Sequence, residues 1–263
     1  MSTSPKAAKS PPLEVDGTRE RLTQLGLLHA AEALARELSE AVQHNRPAHQ
    51  VLDRLLAHEL AQRDERRVRT SLRLSGLPPG MTLGEFDFAF QPSIDRRQID
   101  TLATCSFIRE HTTLLVQGAP GVGKTHLCVG LGVKAIEHGF SVAYYPLEDL
   151  LHEMRKDAHV APQRLRRKKY YNESYMVVDE VGFEPMTRED AGLFFRLVNY
   201  QYCRGSTAIT TNKSVKDWPG IFAGDEALAA AILDRLLHKS VVLNIRGRSY
   251  RLRELEENLK DRP

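Results

Sequence analysis

The chain has 263 residues, with 37 Lys+Arg against 34 Asp+Glu and a net charge of +3 at pH 7. That balance is too slight to mark a nucleic-acid binder by bulk charge, so any such role must rest on local clusters. A hydrophobic share of 41% excludes a wholly disordered chain, and no stretch approaches the roughly 18 apolar residues of a membrane span. Cys105, Cys128 and Cys203 lie far apart and form neither a zinc spacing nor a disulfide framework. This fits a reducing cytosol and predicts a soluble intracellular protein with no membrane partner.

Residues 1–17 are small, polar and Pro-rich, and predict a disordered tail. Thr18 reads as the cap of an amphipathic helix in which Leu22, Leu25, Leu28, Leu34, Leu38 and Val42 recur at three- and four-residue steps. Pro47 opens a second helix, with Val51, Leu52, Leu55, Leu56 and Leu60 on one face and an arginine-dense continuation from Arg63 to Arg73. Residues 18–73 thus predict a small helical module that packs on itself, a partner or a neighbouring subunit. Residues 74–93 hold three prolines, three glycines and three phenylalanines, which marks a linker. Its alternating Phe86, Phe88 and Phe90 suggest an extended strap pinned to the following domain by one apolar edge.

Residues 94–263 alternate between the two periodicities. Helices are predicted over 94–109, 124–138, from 147 to about 170, 187–203 and 226–238. Strands are predicted over 113–117, 141–145, 175–178, 207–211 and 241–245, with a further one over 249–252. Strands alternating with helices of this length predict an α/β fold with a central parallel sheet covered on both faces.

Gly118, Ala119, Pro120, Gly121, Val122, Gly123, Lys124 and Thr125 fill the pattern GxxxxGK[ST], after a predicted strand and before a predicted helix. The glycines let backbone N–H groups curl around phosphates, and the helix N-terminus adds partial positive charge. These eight residues and the adjoining His126 form the predicted nucleotide-binding set. Lys124 is expected to neutralise the β/γ-phosphates and Thr125 to hold Mg²⁺ through its hydroxyl. The apolar strand Met176-Val177-Val178 ends in Asp179, whose carboxylate would join the Mg²⁺ shell, while Glu180 would polarise a water for attack on the γ-phosphate. Lys124 and Asp179 stand 55 residues apart with another predicted strand between them. A guanine-reading NKxD motif is missing, because Asn212-Lys213 is followed by Ser214 and Val215, and ATP is the expected nucleotide.

Five cations, Arg164, Arg166, Arg167, Lys168 and Lys169, fall within six residues and precede Tyr170 and Tyr171. Such a cluster suits salt-sensitive phosphate contacts, and it equally suits the solvated face of a helix. Lys213 and Lys216 are a second DNA-contact candidate. The arginines at 63, 66, 67, 69 and 73 are a third, where self-association or a protein partner fits as well.

A glutamate directly after the metal aspartate, with an intervening strand, resembles the additional-strand catalytic-glutamate ATPases. The tail narrows this: Asp234-Arg235-Leu236-Leu237-His238 precedes a strand, and Gly247-Arg248-Ser249-Tyr250-Arg251 follows it. The run Glu59, Leu60, Arg63, Arg66, Arg67 and the segments TLGEFDFAFQPSID, VVDEVGFEPM and ITTNKSVKDW complete the pattern. From about residue 18 onward the chain resembles the IstB/DnaC branch of AAA+ proteins. IstB proteins are ATP-dependent helpers of a bacterial insertion-sequence transposase, whereas DnaC and DnaI load the replicative helicase. The N-terminal portion and the strap favour IstB, and the zinc-binding N-terminus of a DnaI-type loader is missing.

That resemblance implies an AAA+ P-loop NTPase using ATP and Mg²⁺ in the bacterial cytoplasm. It implies Asn212 at the sensor-1 position, Arg235 as an arginine finger acting on a neighbouring subunit, and Arg251 near the sensor-2 region. The implied partners are duplex DNA, the cognate transposase and the chain itself as an ATP-dependent multimer; helicase loading is the alternative. With 51 residues after Asn212, a full C-terminal lid is not expected, so another subunit would close the ATP site. Repeated around such an assembly, each small basic patch becomes a continuous track.

Overall fold

The computed structural model describes residues 15–253, so most of the tail expected over 1–17 lies outside the described residues. The chain divides into two compact units at Arg69/Thr70. The first contains α1 (Val15–Gln24), α2 (Leu28–Gln43) and most of α3 (Ala48–Ser75). Residues 15–17 are therefore helical, not part of a tail.

The single helix expected over 18–42 is two helices, and Gly26 is the reason. It adopts φ +73°, the left-handed region that glycine enters without a Cβ penalty. Leu27 N–H then donates to Leu22 C=O at 2.8 Å and Gly26 N–H to Thr23 C=O at 2.9 Å, the paired bonds of a Schellman terminus. Ala30, Ala33, Leu34, Ala41, Val51 and Leu55 form the core of this unit, with Leu22 and Leu27 packed against it. Buried Glu59 accepts from Ala30 N–H (2.9 Å) and from Arg63 Nε (2.7 Å), so the first arginine of the arginine-dense stretch serves local structure.

The second unit takes in the end of α3 and then the segment that joins it to α4 (Arg96–Ala103). This segment is built from turns and not as an extended strap, and its three phenylalanines are held at different points. Phe86 is buried, Phe88 lies beneath the Arg96 guanidinium, and Phe90 packs edge-on to Tyr250. There follow α5 (Ser106–Arg109), β1 (Thr113–Gly118), α6 (Lys124–Glu137), β2 (Val142–Pro146) and α7 (Leu147–Lys156). The expected helical stretch to 170 then breaks into α8 (Pro162–Leu165) and α9 (Lys169–Asn172). Asp157, just past α7, accepts from Lys168 at 2.7 Å and from the Tyr170 hydroxyl at 2.9 Å, which folds the chain back on itself. β3 (Tyr175–Val181), α10 (Arg188–Gln201), β4 (Ser206–Thr211), α11 (Trp218–Ile221), α12 (Glu226–His238) and β5 (Ser240–Ile245) complete the order.

The five strands are parallel and lie in the order β2-β3-β4-β1-β5. β4 thus stands between the strand that leads into the glycine-rich loop and the strand that carries Asp179. Leu114, Leu115, Val116, Val177, Val178, Ala208 and Ile209 are fully buried, as strands covered on both faces require. The further strand expected over 249–252 is a helical turn from Tyr250 onward. Tyr250 N–H is taken by the Gly121 carbonyl at 2.9 Å, so it has no place in the sheet ladder.

Candidate nucleotide site

β1 delivers the loop 118–123, and α6 leaves it at Lys124. Gly121 (φ +78°) and Gly123 (φ +96°) take left-handed conformations that turn the backbone into a cradle. Phe86 closes over this turn: a Cβ on Gly123 would sit 2.5 Å from Phe86 Cε2. Lys124 Nζ donates to the carbonyls of Gly118 (2.9 Å) and Ala119 (2.8 Å), holding the ammonium inside the loop. Burial draws its pKa below the usual lysine range, with the Asp179 carboxylate opposing that shift. His126 Nε2 lies 2.8 Å from the Thr82 carbonyl, an acceptor, so Nε2 carries the proton and ties α6 to the segment before α4.

Thr125 Oγ1 lies 3.0 and 3.1 Å from the two oxygens of Asp179. Two residues that the sequence pattern did not single out complete this cluster. Tyr144, on β2, donates to Asp179 Oδ2 at 2.7 Å, and Thr210, on β4, donates to Oδ1. Neither has a motif signal: each is one residue of an ordinary strand, brought to Asp179 by the sheet order. Asp179 is buried, whereas Glu180 is exposed at φ +63° and lines a neighbouring groove of about 510 Å³ with Leu147 and Phe183.

A cleft of about 380 Å³ opens beside the loop, walled by Met81, Phe86, Gln91, Tyr250 and Arg251. Arg251 therefore joins Lys124 and Thr125 at one cleft. Asn212 is exposed just past the carboxyl end of β4. Arg235 stands elsewhere: its Nε donates to Asn199 Oδ1 at 2.9 Å, and it lines a small depression with Thr113 and Thr207, at the amino ends of β1 and β4. Of the basic cluster, Arg164, Arg166 and Arg167 are exposed. Lys168 is paired with Asp157, and Lys169 reaches the Leu74 carbonyl. Lys213 and Lys216 are exposed in the segment after β4. Among the described residues, no helix is long and apolar enough to cross a membrane.

The model of the IstB-like ATP binding protein family matches residues 20–258. The chain is 40% identical over 237 residues to the ATP-binding protein of insertion sequence IS21 from Pseudomonas aeruginosa, covering 89% of this chain and 88% of that one. It is 36% identical to the corresponding IS5376 protein of Geobacillus stearothermophilus, covering 83% and 88%. AMPPCP-bound DnaA from Aquifex aeolicus superposes with a TM-score of 0.52 at 19% identity, covering 71% of this chain and 56% of that one, which is a likeness of fold. With its parallel sheet in this strand order and its phosphate loop at the carboxyl end of β1, the chain has the AAA+ P-loop fold and belongs to the IstB-like ATP-binding family of insertion-sequence proteins.

Proposed function

We propose that this chain is an ATP-dependent transposition helper that assembles on duplex DNA, remodels it, and recruits and activates the transposase of its insertion sequence. The observation that carries the reading is the meeting of the Thr125 hydroxyl and the Asp179 carboxylate, 3.0 Å apart beside the phosphate loop. One carboxylate and one hydroxyl, with room for phosphate oxygens and water, is a hard-oxygen donor set that fits Mg²⁺. Bound there, the ion would neutralise charge developing on the β- and γ-phosphates.

The protein's own groups have separable tasks in this reading. Backbone N–H groups of 118–123 and Lys124 bind the phosphates, while Arg251 adds a second cation in the same cleft. Glu180 polarises the attacking water and accepts its proton, and Asn212 helps to hold that water. Arg235 sits five residues of β1 away from the loop end, about 16 Å at strand rise, so its guanidinium is suited to a neighbouring subunit's ATP. The insertion-sequence relatives favour transposition over helicase loading.

Lys124→Ala is expected to abolish ATP binding. Glu180→Gln is expected to bind ATP and assemble yet stop turnover; equal ATPase rates in wild type and Glu180→Gln would sink the assignment. The larger reading is tested by binding to duplex and single-stranded DNA, with and without a non-hydrolysable ATP analogue, followed by electron microscopy. Cooperative, nucleotide-dependent coating of duplex supports it. Preference for single strands points to the loader.

A further inference from the structure

β3 and β4 pair in register from Tyr175↔Ser206 to Val178↔Ile209, and again at Val181↔Thr211. Asp179 and Glu180 therefore stand opposite the single residue Thr210, which is a bulge at the place where β3 presents both carboxylates. Glu180 takes the left-handed backbone at φ +63°, a conformation that a side chain with a Cβ disfavours and that surrounding bonds must hold. The bond that holds it comes from Thr210, whose Oγ1 accepts the Glu180 N–H at 2.9 Å. The same oxygen gives its one proton to Asp179 Oδ1. A hydroxyl has one donor and two acceptor sites, so a single buried atom makes both bonds at once. The next hydroxyl along, Thr211 Oγ1, accepts from Lys213 N–H at 3.1 Å.

We infer that Thr210 is a positioning residue for ATP turnover: its hydroxyl sets the placement of Glu180 relative to the Asp179 carboxylate by pinning the bulge between them. This rests on the roles proposed above for Asp179 and Glu180. Without the hydroxyl, the Glu180 N–H loses its acceptor and the bulge is free to relax into regular strand. Side chains alternate faces along a strand, so a one-residue adjustment turns the Glu180 carboxylate away from its working side.

The test compares Thr210→Val, which keeps the side-chain shape and removes the hydroxyl, with Thr210→Ser, which keeps the hydroxyl. Both are assayed in the full chain, by steady-state ATPase and by binding of a fluorescent ATP analogue. Thr210→Val is expected to lose about 10–100-fold in kcat, with KM for ATP within about threefold of wild type; Thr210→Ser should stay within about threefold in both. A purely structural defect would reduce nucleotide binding along with turnover and would not show this split. Wild-type kcat in Thr210→Val, or equal losses in Val and Ser, overturns the inference. If Thr210→Val fails to fold, Thr210→Cys, similar in size but a weak donor and acceptor, takes its place with a loss of at least about tenfold expected. Glu180→Gln in the same assay separates the two levels. Full turnover there defeats the underlying reading, whereas an inactive Glu180→Gln beside a fully active Thr210→Val defeats the role of Thr210 alone.

Discussion

Asp179 is 4% exposed, and a buried carboxylate is tolerated only when its oxygens are satisfied. Here Thr125, Tyr144 and Thr210 all supply neutral hydroxyl donors. Burial, then the Asp179 carboxylate itself, pushes the Tyr144 phenol well above the ordinary tyrosine range, so it remains a protonated donor at physiological pH. Asp190 uses a different solution: Arg155 grips both its oxygens at 2.7 and 2.8 Å, and Thr187 adds a third bond. The guanidinium holds the Asp190 carboxyl below the usual range, against the effect of burial. A carboxyl whose folded-state pKa is lowered adds stability above its unfolded value, and that stability is lost as pH falls through the folded one. Asp190→Asn should therefore melt below wild type at neutral pH, and the gap should narrow as pH falls below about 4. Melting temperatures measured from about pH 3 to 7 check this, and a gap that stays constant counts against it.

At the scale of elements, the segment before α4 does more than connect. Phe86 lies on the loop glycine Gly123, Thr82 accepts from His126, and Gln91 Nε2 donates to the Arg248 carbonyl at 2.8 Å. Arg253 pairs with Asp87 at 3.1 Å and stacks over Phe90, so this segment and the tail after β5 wall the same cleft. Truncating Phe86 to Ala removes a buried ring from beside the phosphate loop and should cost about 3 kcal/mol of stability. It should also weaken ATP binding, since the ring that packs on the turn at Gly123 is then gone. Thermal melts with and without ATP test both expectations: the variant should melt lower and gain less from nucleotide than wild type does.

For the whole molecule, a net charge of +3 means that the proposed DNA binding would rest on the placement of a few cations. Lys168 and Lys169 are engaged within the fold, so Arg164, Arg166 and Arg167 are the part of that cluster available to a phosphate backbone. Arg166→Ala and Arg167→Ala should each lower the slope of log K against log salt by about 1 for nucleotide-dependent duplex binding. Lys168→Ala should instead lower the melting temperature, because it leaves the carboxylate of Asp157 without its cation. A salt series on the three variants distinguishes these outcomes. Arg235, near the amino ends of β1 and β4, is remote from the loop at the carboxyl end of the same sheet. An ATPase that relies on this arginine between subunits should turn over faster per chain as protein concentration rises.

The phosphate loop, the Asp179-Glu180 pair and the alternation of helix with strand were legible in the sequence because each is a local pattern. Fixed spacing, side-chain period and the backbone freedom of Gly121 and Gly123 all act within a few residues. Gly26 acts over a similarly short range, yet periodicity alone carried the first helix straight through it, and only its left-handed turn separates α1 from α2. The partners of Asp179 are of another kind. Tyr144 and Thr210 come from 35 and 31 residues away and meet it through the order β2-β3-β4. The bulge that aims Glu180, the seat of Phe86 on Gly123 and the helical turn at Tyr250 likewise depend on what lies across the fold. Strand order and register determine such contacts, and these are settled by the packing of the whole sheet and not by any window of the chain.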